Sequence, residues 1–142
     1  MIYFLDTSAL VKRYITAPGS AEVRALFRRS RRIAVARIAS AELAAAVARQ
    51  HREGVVAEAT RDAILARLHR DFAQMTVVEV RAAMLARVPA LVVRWPLRGY
   101  DAVQLAAALT LHATGASTTF WSSDGNLVAA ALGEGLRATA IG

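Results

Sequence analysis

Short apolar runs alternate with longer stretches of helical periodicity along the chain. The apolar runs, which predict β-strands, are residues 2–5, 33–35, 76–80, 118–121 and 136–140. The stretches of helical periodicity are residues 8–14, 20–29, 40–53, 56–72, 81–93, 100–112 and 127–132. This alternation is typical of an α/β domain in which helices cover both faces of a mainly parallel sheet.

Three residues predict where helices begin, break or end. Ser40 is a good N-cap for a helix that continues to Glu53, and Gly54 is expected to stop that helix. Pro89 is expected to interrupt the helical stretch 81–93, because proline lacks the backbone N–H that a helix interior uses.

Length and composition limit the class of protein. A chain of 142 residues that is 56% hydrophobic predicts a single domain, residues 1–142, with a substantial core. The chain has no cysteine, which excludes disulfides and thiolate metal sites and is compatible with the cytoplasm. Its longest uncharged stretch, residues 102–123, contains polar residues and predicts a helix, a turn and a strand. We therefore expect a cytoplasmic protein with no membrane span.

The formal net charge is +7, and Lys12 is the only lysine among the eighteen basic residues. A strongly basic small domain favours a polyanionic partner such as nucleic acid. Genomic bias towards alanine and arginine would produce the same composition. Charge alone leaves both interpretations open.

Four acids lie near the ends of the predicted strands. Asp6 closes the first strand, and Glu42 lies in the first turn of the helix after the second strand. Asp101 opens the helix before the fourth strand, and Asp124 lies just beyond that strand. In parallel sheets, ligands bind beyond the carboxyl ends of the strands. We expect the four acids where such a site would form.

Helix capping is the alternative role for each of these acids. Next to Asp124, Ser122 and Ser123 could already cap the following helix. Asp101 shares an apolar stripe with Leu105 and Leu109, whereas a capping acid more naturally faces solvent. Capping alone therefore accounts poorly for all four acids.

Four carboxylates close together repel each other, so a bound cation is expected between them. Without cysteine or paired histidines the ligands are hard oxygens, which suit Mg²⁺ or Mn²⁺. Such ions neutralise phosphate charge and promote in-line displacement at phosphorus. An acidic metal site in a basic domain therefore indicates phosphodiester hydrolysis.

Four segments together resemble the PIN-domain ribonucleases, most closely the VapC-type toxins of toxin–antitoxin modules. The segments are FLDTSAL, SAEL, GYDAVQLAAAL and WSSDGNL, and they span nearly the whole chain. The resemblance implies a parallel five-stranded sheet in a three-layer α/β/α sandwich, and a divalent-metal endoribonuclease that cleaves RNA. It also implies an antitoxin partner and a homodimer. The segment RWPLRG before the third acid, and the glycine after the last, depart from the family pattern.

The resemblance also assigns roles to residues by position. The acidic quartet is matched by Asp6, Glu42, Asp101 and Asp124, which would hold Mg²⁺ or Mn²⁺ and carry the catalysis. Two hydroxyl residues that support the quartet through hydrogen bonds are matched by Ser8 and Ser122.

Two other functions compete with the nuclease. Dehalogenase-like phosphatases also place an aspartate after the first strand, but they need a second one two residues later, where this chain has Ser8. A non-catalytic RNA-binding or interaction domain of the same fold is the other alternative, although it has no use for four repelling acids.

Two basic segments are candidates for RNA contacts. Arg94, Trp95 and Arg98 precede Asp101, so the indole and the guanidinium groups could stack on and hold a looped RNA. Alternatively, Trp95 simply pins this loop to the core. The basic run 28–32 also ends a helix, where positive charge suits the helix dipole without any RNA.

Overall fold

Strands and helices alternate along residues 1–30 and 32–142, the part of the chain that this computed structural model describes. The strands are β1 (Ile2–Leu5), β2 (Ile33–Ala36), β3 (Thr76–Val78), β4 (Thr118–Ser122) and β5 (Arg137–Ala140). The helices are α1 (Thr7–Tyr14), α2 (Ser20–Arg29), α3 (Ile38–Arg52), α4 (Glu58–Phe72), α5 (Ala82–Leu85), α6 (Val88–Arg94), α7 (Gly99–His112) and α8 (Gly125–Gly133). The predicted alternation is confirmed.

The five strands form one sheet in the order β3-β2-β1-β4-β5, and every neighbouring pair is parallel. The order reverses between β1 and β4, which pair over their whole common length, from Ile2 opposite Thr118 to Leu5 opposite Trp121. A crevice forms outside the carboxyl ends of the strands at such a reversal. The fold therefore places the end of β1 beside the end of β4, at the position where ligands bind in sheets of this kind.

Helices cover both faces of the sheet, as the α/β/α expectation requires. Leu5 and Val35 point to one face and pack in a core with residues of α1 to α4, such as Leu43. Phe4 points to the opposite face, where it stacks on Phe120 with ring centroids 5.7 Å apart and packs with residues of α5 to α8. Because successive strand residues face opposite sides, one short apolar strand serves both cores.

The ends of α3 partly differ from the prediction. The helix begins at Ile38, and the Ser40 hydroxyl donates to the carbonyl of Arg37 at 2.8 Å. The prediction that Ser40 is the N-cap is wrong, because the chain turns into the helix almost directly after β2. The stop at Gly54 is confirmed: its φ of +77° lies in the left-handed region that favours glycine.

Pro89 begins a helix rather than breaking one. It lies in the first turn of α6, where the missing N–H has no helical acceptor to bind. The expected interruption of the stretch 81–93 falls before it, between α5 and α6. Across residues 1–30 and 32–142, none of the helices has both the length and the apolar character that a bilayer crossing needs. The assignment of residues 1–142 to a single domain stays a prediction.

Candidate active site

A cleft of about 450 Å³ lies at the carboxyl edge of the sheet, where the strand order reverses. All four acids proposed from the sequence line it, although they come from the end of β1, from α3, from α7 and from the start of α8. We call it the acid cleft. Its lining also includes Ser8 and two basic residues, Arg49 and Arg98.

Asp6 is the most deeply buried of the four acids, with 4% of its surface exposed. It is the N-cap of α1: its Oδ1 accepts the backbone N–H of Ala9 at 2.9 Å and the hydroxyl of Ser8 at 2.7 Å. Its Oδ2 accepts the hydroxyl of Ser122 at 2.6 Å. The apolar strand β1 can therefore end in a carboxylate because hydrogen-bond donors surround both oxygens.

The two hydroxyl residues expected to support the quartet both contact Asp6, and they also connect it to the β4–α8 turn. Ser122 accepts the backbone N–H of Asp124 at 3.0 Å, and Ser8 accepts that of Ser123 at 3.0 Å. This network fixes the orientation of the Asp6 carboxylate relative to the start of α8.

Glu42 is held by two side chains that the sequence analysis did not single out. Its Oε1 accepts the Thr7 hydroxyl at 2.8 Å and the Gln104 amide at 3.0 Å. Gln104 also donates to Thr7 Oγ1 at 3.0 Å. These bonds join α3 to α1 and α7, so Glu42 is positioned by both neighbouring helices.

The position of Gln104 in the sequence could have indicated that it belongs to the site. It is the one amide within the apolar part of α7 and is 2% exposed. Its Oε1 is buried and finds no partner among residues 1–30 and 32–142. A buried polar group without a partner is costly, so an isolated glutamine in an apolar helix next to a proposed site suggests a role there.

Asp101 and Asp124 lie at the starts of helices. Asp124 is the N-cap of α8, and its Oδ1 accepts the backbone N–H groups of Asn126 at 2.9 Å and Leu127 at 3.3 Å. Asp101 lies in the first turn of α7 and accepts the backbone N–H of Arg98 at 3.4 Å. Leu105, one turn further along α7, is fully buried, as the apolar stripe predicted.

Burial and mutual repulsion raise the pKa values of two acids in the cleft. Burial is the largest effect on Asp6 and raises its pKa to about 6, although its hydrogen bonds act in the opposite direction. Burial also raises the pKa of Asp101, and the nearby charges of Asp124 and Glu42 add to that increase. The acids are thus close enough for their charges to interact.

The chemistry of these side chains fits a hard divalent cation, because the donors are carboxylate oxygens. In the described ranges, however, no three carboxylate or imidazole side chains lie in a metal-ligating arrangement. Each carboxylate is directed to protein donors instead, as Glu42 is to Thr7 and Gln104. The cleft therefore collects the right donor atoms, but three of them do not meet at one point.

The three proposed RNA-contacting residues lie in two different environments. Arg98 lines the acid cleft. Arg94 forms an ion pair with Glu134, and the Trp95 indole donates to the same carboxylate at 2.9 Å. The Trp95 ring also packs on Gly133, where an added Cβ would lie only 2.2 Å from it. These contacts support the interpretation that Trp95 pins its loop, here to the end of α8. Of the second basic segment, Arg31 lies outside the described residues.

Several proteins of known structure share this fold at low sequence identity. A structure of PAE2754 from Pyrobaculum aerophilum is 21% identical, with a TM-score of 0.68 over 97% of this chain and 83% of that chain. A toxin–antitoxin complex from Klebsiella pneumoniae contains a chain that is 18% identical, with a TM-score of 0.61 over 86% of both chains. VapC20 from Mycobacterium tuberculosis, described as a sarcin–ricin loop cleaving toxin, is 17% identical, with a TM-score of 0.66 over 90% of this chain and 94% of that chain.

At these identities the three structures establish the fold alone. None of the curated proteins matches the sequence. The family model of the PIN domain matches residues 3–131, a range that contains all four acids of the cleft. The chain therefore belongs to the PIN domain family.

Proposed function

We propose that the protein is a divalent-metal-dependent endoribonuclease that hydrolyses phosphodiester bonds in RNA. The observation that carries this proposal is the acid cleft: four carboxylates from distant parts of the chain line one crevice in a domain of net charge +7. Membership of the PIN domain family supports it, as does the fold shared with VapC20, a toxin described as cleaving the sarcin–ricin loop.

The residues of the cleft have different roles in this proposal. Asp6, Asp101 and Asp124 would hold Mg²⁺ or Mn²⁺, and Glu42 would either complete the ligand set or orient the attacking water. The ion, when bound, neutralises charge on the phosphate and lowers the pKa of water. Ser8 and Ser122 keep the Asp6 carboxylate in place. Arg98, at the rim, attracts the phosphate of the substrate.

We further propose that the protein is the toxin of a toxin–antitoxin module. VapC20 is described as a toxin, and the Klebsiella pneumoniae protein of the same fold was solved in a toxin–antitoxin complex, which supports an antitoxin protein as partner. We expect a homodimer that acts on RNA in the cytoplasm. A gene next to this one that encodes a small antitoxin-like protein would support the assignment.

The nuclease proposal is tested by incubating purified protein with structured RNA. We expect cleavage with Mg²⁺ or Mn²⁺, none in EDTA, and no release of phosphate from a phosphomonoester such as p-nitrophenyl phosphate. Glu42→Gln is the matched variant that should not cleave RNA. Glutamine keeps an oxygen that can accept from Thr7, but it loses the charge. The proposal is overturned if the phosphomonoester is hydrolysed while RNA stays intact, or if RNA binds without being cleaved at any metal concentration.

A further inference from the structure

A second cavity, of about 330 Å³, has a lining dominated by arginine. Its lining residues are Arg13, Tyr14, Arg24, Arg28 and Arg67. They come from α1, α2 and α4, so only the packing of these helices brings them together. We call this group of four guanidinium side chains the arginine cluster.

Three guanidinium groups of the cluster are held by protein contacts. Arg13 lies 3.9 Å from the ring centroid of Phe27, and Arg67 lies 5.5 Å from that of Tyr14. Arg24 donates to the Thr16 hydroxyl at 3.0 Å and to the carbonyl of Arg13 at 3.3 Å. Side chains that are already ordered lose little further freedom when a ligand binds.

The positive charge of the cluster exceeds the negative charge around it. Of the described carboxylates, only Asp71 forms ion pairs with the cluster, and it is shared between Arg13 and Arg67. Asp71 also accepts the Tyr14 hydroxyl at 2.7 Å. The Arg28 side chain is exposed and forms no hydrogen bond or ion pair with the described residues. Four guanidinium groups around one cavity with one carboxylate favour a bound anion.

Helix α1 connects the arginine cluster to the acid cleft. Thr7 and Val11 line the cleft and Tyr14 lines the second cavity. Spacings of four and three residues place these side chains on one face of α1. A helix of eight residues is about 12 Å long, so the acid cleft and the arginine cluster lie close to each other at the two ends of α1.

We propose that the arginine cluster binds backbone phosphates of the RNA beyond the scissile bond. This inference rests on the proposed function, in that RNA occupies the acid cleft. Guanidinium groups bind phosphate oxygens through paired hydrogen bonds and remain charged in proteins. The short distance from the acid cleft along α1 favours the RNA strand over an acidic protein segment, because an RNA bound in the cleft extends beyond the scissile bond.

The test compares two double variants that each remove two positive charges. Arg28→Gln with Arg67→Gln removes two members of the cluster, whereas Arg29→Gln with Arg70→Gln changes exposed neighbours on the same two helices that do not line the cavity. A fluorescein-labelled single-stranded RNA is titrated in EDTA, so that binding is measured without cleavage. We expect the Kd of the first variant to rise roughly tenfold, a loss of about 1.4 kcal/mol. We expect the Kd of the second variant to rise less than twofold.

The salt dependence adds a second readout. The slope of log Kd against log salt should decrease by about 0.7 for each phosphate that the protein no longer neutralises, and only in the first variant. Thermal melts of both variants check that they are folded. The inference is overturned if the two variants bind RNA equally well, or if polyglutamate rather than RNA loses affinity in the first variant.

Cleavage of RNA by the wild-type protein in Mn²⁺ separates this inference from the proposed function. Absence of cleavage, together with weakened RNA binding in the first variant alone, overturns the nuclease and supports the phosphate site. Normal cleavage together with equal RNA binding by both variants supports the nuclease and overturns the phosphate site. A wild-type protein that does not bind RNA overturns both.

Discussion

Asp6 both caps α1 and lines the acid cleft, so the two roles considered from sequence are compatible. Asp101 and Asp124 likewise accept backbone N–H groups at the starts of α7 and α8 while they line the cleft. Three helix N-termini therefore point towards one group of carboxylates. The positive ends of the helix dipoles partly offset the repulsion between the acids, which allows them to lie close together.

The variant Asp101→Asn tests whether this acid contributes to metal binding. Asparagine keeps a side-chain oxygen that can accept the backbone N–H of Arg98, and it removes one crowded negative charge. We expect the variant in EDTA to melt no lower than wild type, with a gain of roughly 1 kcal/mol or less after solvent screening. Mn²⁺ should raise the melting temperature of wild type much more than that of the variant, and RNA cleavage should fall by about 100-fold or more.

Thermal melts in EDTA and in Mn²⁺, with one cleavage assay, provide these readouts. Asp62→Asn is the control, because Asp62 is an exposed acid paired with Arg61 on α4 and does not line the cleft. A variant at Asp101 that keeps the full Mn²⁺ shift and cleaves normally would show that Asp101 is not a ligand.

Gln104→Leu tests whether Gln104 positions Glu42. Leucine is similar in size and removes the buried carbonyl oxygen that has no partner in the described part of the chain. We therefore expect little change in thermal stability. Cleavage of RNA should fall roughly tenfold, because Glu42 loses one of its two side-chain donors.

The matched control is Thr110→Val on the same helix, since the Thr110 hydroxyl only donates to the carbonyl of Ala106. If Gln104→Leu and Thr110→Val have equal activity in the cleavage assay, Gln104 has no positioning role.

At the scale of elements, the contact between the end of α6 and the end of α8 depends on one carboxylate. Glu134 accepts hydrogen bonds from the Trp95 indole and from Arg94, and the Trp95 ring covers Gly133. These bonds hold the pKa of Glu134 below its ordinary value of 4.5. The loop that leads to Arg98 and the acid cleft is thus anchored to the end of α8.

The variant Glu134→Gln should destabilise the protein in a pH-dependent way. Glutamine can still accept from Trp95 but loses the charge, so we expect a loss of about 1 kcal/mol at pH 7. Because the pKa is lowered in the folded state, the carboxylate contributes this stability above pH 4.5. The contribution disappears as pH falls through the folded-state pKa.

Urea unfolding of wild type and variant, at pH 7 and below the folded-state pKa of Glu134, measures the difference in the free energy of unfolding. Glu53→Gln, an exposed glutamate at the end of α3, controls for the loss of one charge. A difference between wild type and Glu134→Gln that persists unchanged below the pKa would contradict the role assigned to the ion pair.

At the scale of the whole molecule, basic residues that are close in sequence lie in different environments. The sequence predicts that Arg94 and Arg98 both contact RNA. In the structure, Arg98 lines the acid cleft, whereas Arg94 pairs with Glu134. Arg98→Gln should therefore weaken RNA binding and lower the salt slope by about 0.7, the value for one neutralised phosphate of a single strand. Arg94→Gln should leave the Kd nearly unchanged.

Fluorescence titrations in EDTA at several salt concentrations provide this comparison, with Arg32→Gln as a control from the other basic segment. Equal losses in all three variants would mean that RNA responds to diffuse charge rather than to Arg98.

Sequence by itself determined the alternation of strands and helices, the stop at Gly54 and the four acids of the cleft. These features are local: the spacing of apolar residues reports which face of an element is buried, and glycine reports a backbone angle. Two of the acids, Asp6 and Asp124, follow the strands that border the reversal, and Glu42 and Asp101 lie in the first turns of helices that begin at the same edge of the sheet. Their grouping follows from the parallel sheet and needs no side-chain detail.

Only the tertiary structure decided which side chains meet across elements. Thr7 and Gln104 are 97 residues apart and share a hydrogen bond, and Trp95 reaches Glu134 across 39 residues. The arginine cluster likewise depends on how α1, α2 and α4 pack. Such contacts depend on the angle and register between packed helices, which arise from the fit of many side chains at once and leave no periodic trace in any one segment.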